Sequence, residues 1–256
     1  MRLPTRAVVR PPAPTYADAL TQEAEPQPVD LALACQQHAL YVNALKTVGL
    51  AVTELPPDPN FPDSCFTQDP VLIVDGILVA CRMGAESRRR EEKALINAVA
   101  DLELPKYTVT KPATLEGGDV IITEDSLFVG LTSRTDMNAV EHLRDVFSAN
   151  RKVVAVFVPD RFLHLGTGCS YLGEGRLLTS AECAATPEFA KFEKFVVPEA
   201  ERYAANALAV GPSLIIADGF PATAEMLTRA GFTIHPVPLS EFAKRDGSVT
   251  CLSLVC

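Results

Sequence analysis

Val71-Leu72-Ile73-Val74-Asp75-Gly76-Ile77-Leu78-Val79-Ala80 is a pair of four-residue apolar runs on either side of Asp-Gly. Asp-Gly accepts the positive φ that a two-residue turn demands, and its flanks are rich in β-branched residues, so the stretch reads as a β-hairpin. A helix follows with Leu95, Val99 and Leu102 in register, then a short strand over residues 107–110. The same order recurs further on: a strand over 119–123, a turn at Glu124-Asp125, a strand over 127–130, a helix with Met137, Val140, Leu143 and Phe147 on one side, and a strand over 153–158. The unit strand, turn, strand, helix, strand therefore repeats.

Outward from these two units, the pattern thins but persists. Ala7-Val8-Val9 reads as a short strand ended by Pro11-Pro12-Ala13-Pro14, and the polar, proline-interrupted residues 15–29 suit a mobile segment. Ala34, His38, Tyr41, Val42 and Leu45 recur at helical spacing up to Gly49, with His38 a satisfied packing residue. Leu177-Leu178 and Leu214-Ile215-Ile216-Ala217 read as strands, Pro221 and Gly231 bracket a helix, and Thr233-Ile234-His235 and a strand opened by Cys251 close the chain. That makes five blocks of roughly fifty residues with no Gly/Ser linker between them, which predicts a pseudo-symmetric closed α/β array in one domain over 1–256.

A net charge of −9 argues against a nucleic-acid partner, which needs a concentrated basic face, and suits a small cationic one. Arg88-Arg89-Arg90 runs straight into Glu91-Glu92, the composition of a solvated helix face. The seven cysteines are odd in number, scattered and free of C-x-x-C pairs, which argues against disulfides and against a zinc module. No apolar run approaches the length of a membrane span, so a soluble cytoplasmic protein is expected.

Four stretches are polar without structural need: residues 61–69, residues 115–120 with Glu116-Gly117-Gly118-Asp119, residues 163–168 with His164, and the final strand with Cys251. If equivalent loops share one end of a common axis, a thiol, an imidazole and several carboxylates converge. Cys251 is then the nucleophile, His164 the proton carrier and Glu116 the acceptor that fixes the imidazole. Asp63 and Asp69 have no cationic neighbours in sequence, so they call for a cation from outside, and a planar guanidinium matches paired carboxylates. Nothing in this set asks for a metal or a cofactor.

Phe61-Pro62-Asp63-Ser64 with Asp69, Gly84 to Arg89, Leu115 to Val120, Val129-Gly130-Leu131 with Arg134-Thr135, Leu163-His164-Leu165, and Asp246-Gly247 with Thr250 to Ser253 resemble, in order and spacing, the dimethylarginine dimethylaminohydrolases of the pentein, or guanidine-modifying, superfamily. The resemblance spans nearly the whole chain. It implies a five-bladed α/β propeller and hydrolysis of methylated arginine to citrulline through a covalent thiouronium on Cys251, without metal. It also implies substrate contacts from Asp63, Asp69, Gln68 and Leu20, with Arg88 and Arg134 on the α-carboxylate, and leaves a homodimer open. The chain departs from the family pattern at Gln68, Asp136 and Gly166, where members often carry Glu, Asn and Lys. Arginine deiminase or amidinotransferase chemistry on the same fold, or a non-catalytic propeller, are the competing readings.

Overall fold

In the computed structural model, which describes residues 3–256, each of five small sheets is the same unit: an inner strand antiparallel to a middle strand, which is parallel to an outer one. In the first blade the middle and outer strands, β1 (Arg6–Val9) and β2 (Ala51–Glu54), are joined over the helix Leu31–Thr47. The second blade has β3 (Val71–Val74), β4 (Ile77–Ala80) and β5 (Lys106–Thr108); the third has β6 (Val120–Ile122), β7 (Ser126–Leu131) and β8 (Lys152–Phe157). The fourth has β9 (Cys169–Gly173), β10 (Arg176–Thr179) and β11 (Glu193–Val196), and the fifth β12 (Ala207–Val210), β13 (Ser213–Ala217) and β14 (Thr233–Val237). The last strand, β15 (Leu254–Val255), returns to β1 as the first blade's inner strand, with Val8 opposite Leu254. Two ends of the chain thus complete one blade, and the propeller closes.

The local chemistry behaves as the sequence predicts where its signals are strong. Asp75 and Gly76 take φ of 50° and 76° and set Val74 against Ile77. The helix Met137–Phe147 is capped by Asp136, whose carboxylate accepts from the Ala139 amide at 3.0 Å. Asn caps as well as Asp, so that departure from the family pattern costs the helix little.

The core is divided into five wedges, one between each pair of neighbouring blades. Side chains alternate across a strand, and here both faces are covered. Ala7 and Val9 pack with Leu208, Val210 and Ile215 of the fifth blade, whereas Val8 packs with Val71, Leu78 and Leu254 toward the second. In β7, Leu127 and Val129 face the second blade, and Phe128 faces Leu177 and Phe189 of the fourth. Leu127 is fully buried, so truncating it to alanine costs about 2–5 kcal/mol as lost transfer plus cavity.

Three expectations need correction. Cys251 does not open a strand: Thr250–Leu252 is a 3-10 turn, and β15 starts only at Leu254. The turn wins over β-propensity because Asn206 clamps Thr250, accepting its amide at 3.0 Å and donating to its hydroxyl at 2.8 Å. Residues 15–29 are not a free loop, since Tyr16 is fully buried and its hydroxyl donates to the Glu241 carbonyl. His38 is buried as expected but not satisfied: its Nε2 has no partner, and burial pushes the imidazole down to about 4, into its neutral form.

Candidate active site

The propeller's repeat puts each blade's chemistry in the same place, just ahead of its inner strand. Asp69 precedes β3, Glu116 precedes β6, His164 precedes β9, Asn206 precedes β12 and Cys251 precedes β15. Middle strands run the opposite way, so the loops leaving β4, β7 and the chain beyond β14 bring Arg88, Arg134 and Arg245 to that same end. Leu20, Asp63, Phe66, Asp69, Arg88, Arg134, Leu163, His164, Arg245, Asp246, Gly247 and Cys251 line one narrow cleft there, enclosing about 20 Å³.

Glu116 is wholly buried and holds the imidazole. Its Oε2 meets His164 Nε2 at 2.8 Å, while Oε1 accepts from the amides of Gly84 and Ala85 at 3.1 and 3.3 Å and from Arg134 Nη1 at 3.5 Å. With Nε2 occupied, Nδ1 is the nitrogen left for proton transfer. Asp119 fixes the turn that carries the ring by accepting the Leu165 amide at 2.9 Å. Gly118 lies flat against this assembly; a Cβ there would fall 2.8 Å from Asp69 Oδ1 and 2.9 Å from His164 Nδ1, so no side chain fits between carboxylate and imidazole.

These contacts set the charges. Burial works against a charged His164, but Asp69, Asp119 and the hydrogen bond to Glu116 outweigh it and raise the imidazole to about 9. Burial likewise disfavours a charged Glu116, yet the hydrogen bond and charge of His164 hold it below the usual carboxylate range. The pair is an imidazolium–carboxylate at neutral pH. Cys251 goes the other way: burial, reinforced by Asp69, pushes its thiol up to about 12. Cys251 therefore stands in the cleft as a thiol, and a positive charge brought beside it would favour the thiolate.

Asp69 does not wait for an outside cation, as the sequence suggests. Its Oδ2 takes Arg88 Nη1 at 2.8 Å and its Oδ1 the Gly118 amide at 3.0 Å. Arg88 is 4 % exposed, not part of a solvated face, and Nε and Nη2 are bound to Glu91 and to the Phe66 carbonyl. Only one of its N–H groups remains. Arg134 is less committed, with Glu116 its one carboxylate partner among the described residues. Asp63 accepts the Leu20 amide at 3.0 Å, which places the loop of Leu20 over the cleft, and burial raises its carboxyl.

Gln68 is the misplaced member of the set. Its Oε1 accepts the Thr250 hydroxyl at 3.1 Å, and it lines the central cavity of the ring rather than the cleft. Glu91, Asn206 and Arg245 are neighbours of the site that the sequence does not single out. Asn206 alone had a signal, its position one residue before an inner strand, as the fifth blade's equivalent of the other loops. Among the described residues, Asp69, Glu116 and His164 bring ligand atoms within 4.8 Å of one another, a set able to hold a metal. A metal there would have to displace Arg88 and split the Glu116–His164 pair.

A family profile described as "N,N dimethylarginine dimethylhydrolase, eukaryotic" matches residues 13–175. The chain is 36 % identical over 248 residues to N(G),N(G)-dimethylarginine dimethylaminohydrolase of Pseudomonas aeruginosa, covering 96 % of this chain and 97 % of that one. It is 36 % identical over 250 residues to the Streptomyces coelicolor enzyme of the same name, covering 97 % and 96 %. The P. aeruginosa enzyme, solved as a cysteine-to-serine variant complexed with citrulline, superposes with a TM-score of 0.94 at 34 % identity over the full length of both chains.

Proposed function

The chain belongs to the dimethylarginine dimethylaminohydrolase family, and from that premise we propose that Cys251, His164 and Glu116 hydrolyse methylated arginine to citrulline and a methylamine, with the whole chain acting as one catalytic unit. The observation that carries this reading is the opposition of charge in one cleft: a protonated His164 on Glu116 beside a Cys251 that is neutral until a cation arrives.

The substrate guanidinium supplies that cation. Its approach to Cys251 and Asp69 lowers the cost of the thiolate, the thiol proton leaves to solvent, and sulfur adds to the central guanidinium carbon. His164 donates its proton to the departing amine as the C–N bond breaks, leaving a thiouronium on sulfur. Neutral His164 then takes a proton from water as its oxygen attacks the same carbon. The C–S bond breaks, citrulline leaves, and the thiol is restored. Asp69 keeps the remaining guanidinium nitrogens in line, Glu116 keeps the imidazole aimed, and Asp63 with the Leu20 loop covers the aliphatic part. Arg134, with the free N–H of Arg88, faces the α-carboxylate.

Incubation with arginine, monomethylarginine and asymmetric dimethylarginine, assaying citrulline and the released amine, tests the proposal. Citrulline from the methylated substrates is the expected result. Turnover of arginine alone, with ammonia as the co-product, would favour the deiminase reading instead.

A further inference from the structure

Asn206 stands in the same ring of positions as Asp69, Glu116, His164 and Cys251, just ahead of an inner strand, yet it takes no part in the reaction as written. It is 2 % exposed, and its side chain is neutral, so it is neither acid nor base. Both of its amide N–H groups and its oxygen are used. Oδ1 accepts the Thr250 amide at 3.0 Å, and Nδ2 donates to the Thr250 hydroxyl at 2.8 Å and to the Gly166 carbonyl at 2.7 Å. The orientation of the amide follows from these partners: turned over, it would set oxygen against oxygen at Gly166 and N–H against N–H at Thr250.

The partners belong to two different turns of the site. Thr250 is next to Cys251 in the 3-10 turn Thr250–Leu252, and Gly166 is two residues after His164 in the short helix Leu165–Gly168. Glu116 and Asp119 fix the imidazole and its turn, but neither hydrogen-bonds to the segment that carries the thiol. On the nucleophile's side, the Gln68 amide donates to the Cys251 carbonyl at 3.2 Å, which ties that turn to the loop of Asp69 and not to His164. Asn206 supplies the missing tie. Gly166 has no room to drift away from it, since a Cβ there would already lie 2.9 Å from the Gly118 carbonyl.

The chemistry needs thiol and imidazole on one carbon. Sulfur bonds to the guanidinium carbon, and the imidazole must reach first the amine that leaves that carbon and then the water that attacks it. A misplacement of about 1 Å between such groups costs about 100-fold. We propose that Asn206 is a positioning residue for the hydrolysis: by bridging the two turns it fixes the Cys251 thiol relative to the His164 imidazole, and it acts on the chemical steps rather than on substrate binding. This rests on the hydrolase reading above. A leucine of similar size would fill the space but leave the Thr250 amide and the Gly166 carbonyl without these partners.

The test compares Asn206→Ala and Asn206→Asp with the unaltered protein on monomethylarginine, with thermal melts establishing that each variant is folded at the assay temperature. Asn206→Ala frees both turns and should lower kcat by ~100-fold while KM stays within about threefold, because none of the hydrogen-bond partners of Asn206 is a group that holds the substrate. Asn206→Asp keeps an acceptor for the Thr250 amide, but a carboxylate cannot donate to the Gly166 carbonyl, so the link to the His164 turn is cut. Near pH 8 its kcat should be ~10-fold low, and it should recover relative to the unaltered protein as pH falls toward about 5, where the buried carboxyl takes up the proton that lets it donate again. A rise in KM with kcat unchanged, a loss that only matches the unfolded fraction, or an Asp variant fully active near pH 8 would each overturn the proposal. If the Ala variant does not fold, the Asp variant still decides through its pH dependence. Failure of the unaltered protein to form citrulline from monomethylarginine would instead strike the hydrolase reading.

Discussion

The central cavity of the ring encloses about 590 Å³ and is walled largely by the inner strands, with Val120, Ile122, Leu208 and Val255 among its lining. The cleft at one end of the same axis encloses about 20 Å³ and is walled by Asp63, Asp69, Arg88, Arg134, His164, Arg245 and Cys251. The charged side chains lining the larger space, Asp75 and Arg151, are paired with each other. The smaller one concentrates ionisable groups, and the protonation of Asp63, His164 and Cys251 among them is displaced from the ordinary, which is what catalysis on a cation requires. Volume follows from the geometry of a five-fold ring; chemistry follows from which residues precede the inner strands. Substitutions in the two regions should therefore differ in effect by orders of magnitude.

The largest effect belongs to Cys251→Ser. An alkoxide is far harder to form than a thiolate, so citrulline production should fall by about 10⁴-fold or more while circular dichroism and the melting temperature stay near those of the unaltered protein. Near-normal turnover would remove the nucleophile from the cleft and break the contrast outright.

His164→Gly comes next, with a loss of about 10³-fold, because both the amine and the water lose their proton partner. Intact-protein mass spectrometry after mixing with substrate should show an adduct on Cys251, since addition does not need the imidazole as much as the later steps do. The pH dependence tests the same residue. His164 has its ionisation raised, so the charged form is present at low pH and is lost as pH rises through about 9. The alkaline limb of kcat/KM should fall there, well above the usual imidazole value. A limb near 6.5 would mean that Glu116 and Asp69 do not act on the ring as their contacts indicate.

Small effects are expected on the other side of the contrast. Gln68→Glu keeps the acceptor that Thr250 uses, and its side chain faces the cavity, so relative kcat/KM among arginine and its methylated forms should shift by less than about threefold. A tenfold change confined to one substrate would show that the wall between cavity and cleft transmits selectivity. Ala209→Phe, which adds a ring to the cavity wall, should leave turnover within about twofold.

The two regions also differ in how much of them is legible in the sequence. The hairpin at 71–80 and the helix Met137–Phe147 depend on neighbours in the chain, a turn dipeptide and a cap, so their signals are local and readable. The roles of Cys251, His164 and Glu116 can be read as types of group in recurrent loops. What cannot be read is what each charge meets. Arg88 looks like one of three solvated arginines until Asp69 and Glu91 are seen around it, and Arg245 looks like any charged residue before a turn. Tyr16 is tied to Glu241 and Leu20 to Asp63 by contacts far apart in the chain, which no composition of residues 15–29 announces. Gln68 illustrates the same limit in a single side chain: its neighbour Asp69 faces the cleft and Gln68 does not.

The pairing of β1 with β15 has a consequence for how this enzyme fails. Four blades are contiguous in sequence, but the first is completed only when Leu254 finds Val8. Closing a loop of about 250 residues costs about 5 kcal/mol of chain entropy, more than the closing of any other blade. Cys251 sits three residues before that strand, on the segment that the pairing holds in place. A molecule with this seam unzipped should keep most of its secondary structure while losing the proposed nucleophile. In mild urea, catalysis should thus vanish before circular dichroism changes, and turnover becomes a gauge of the seam rather than of the fold at large.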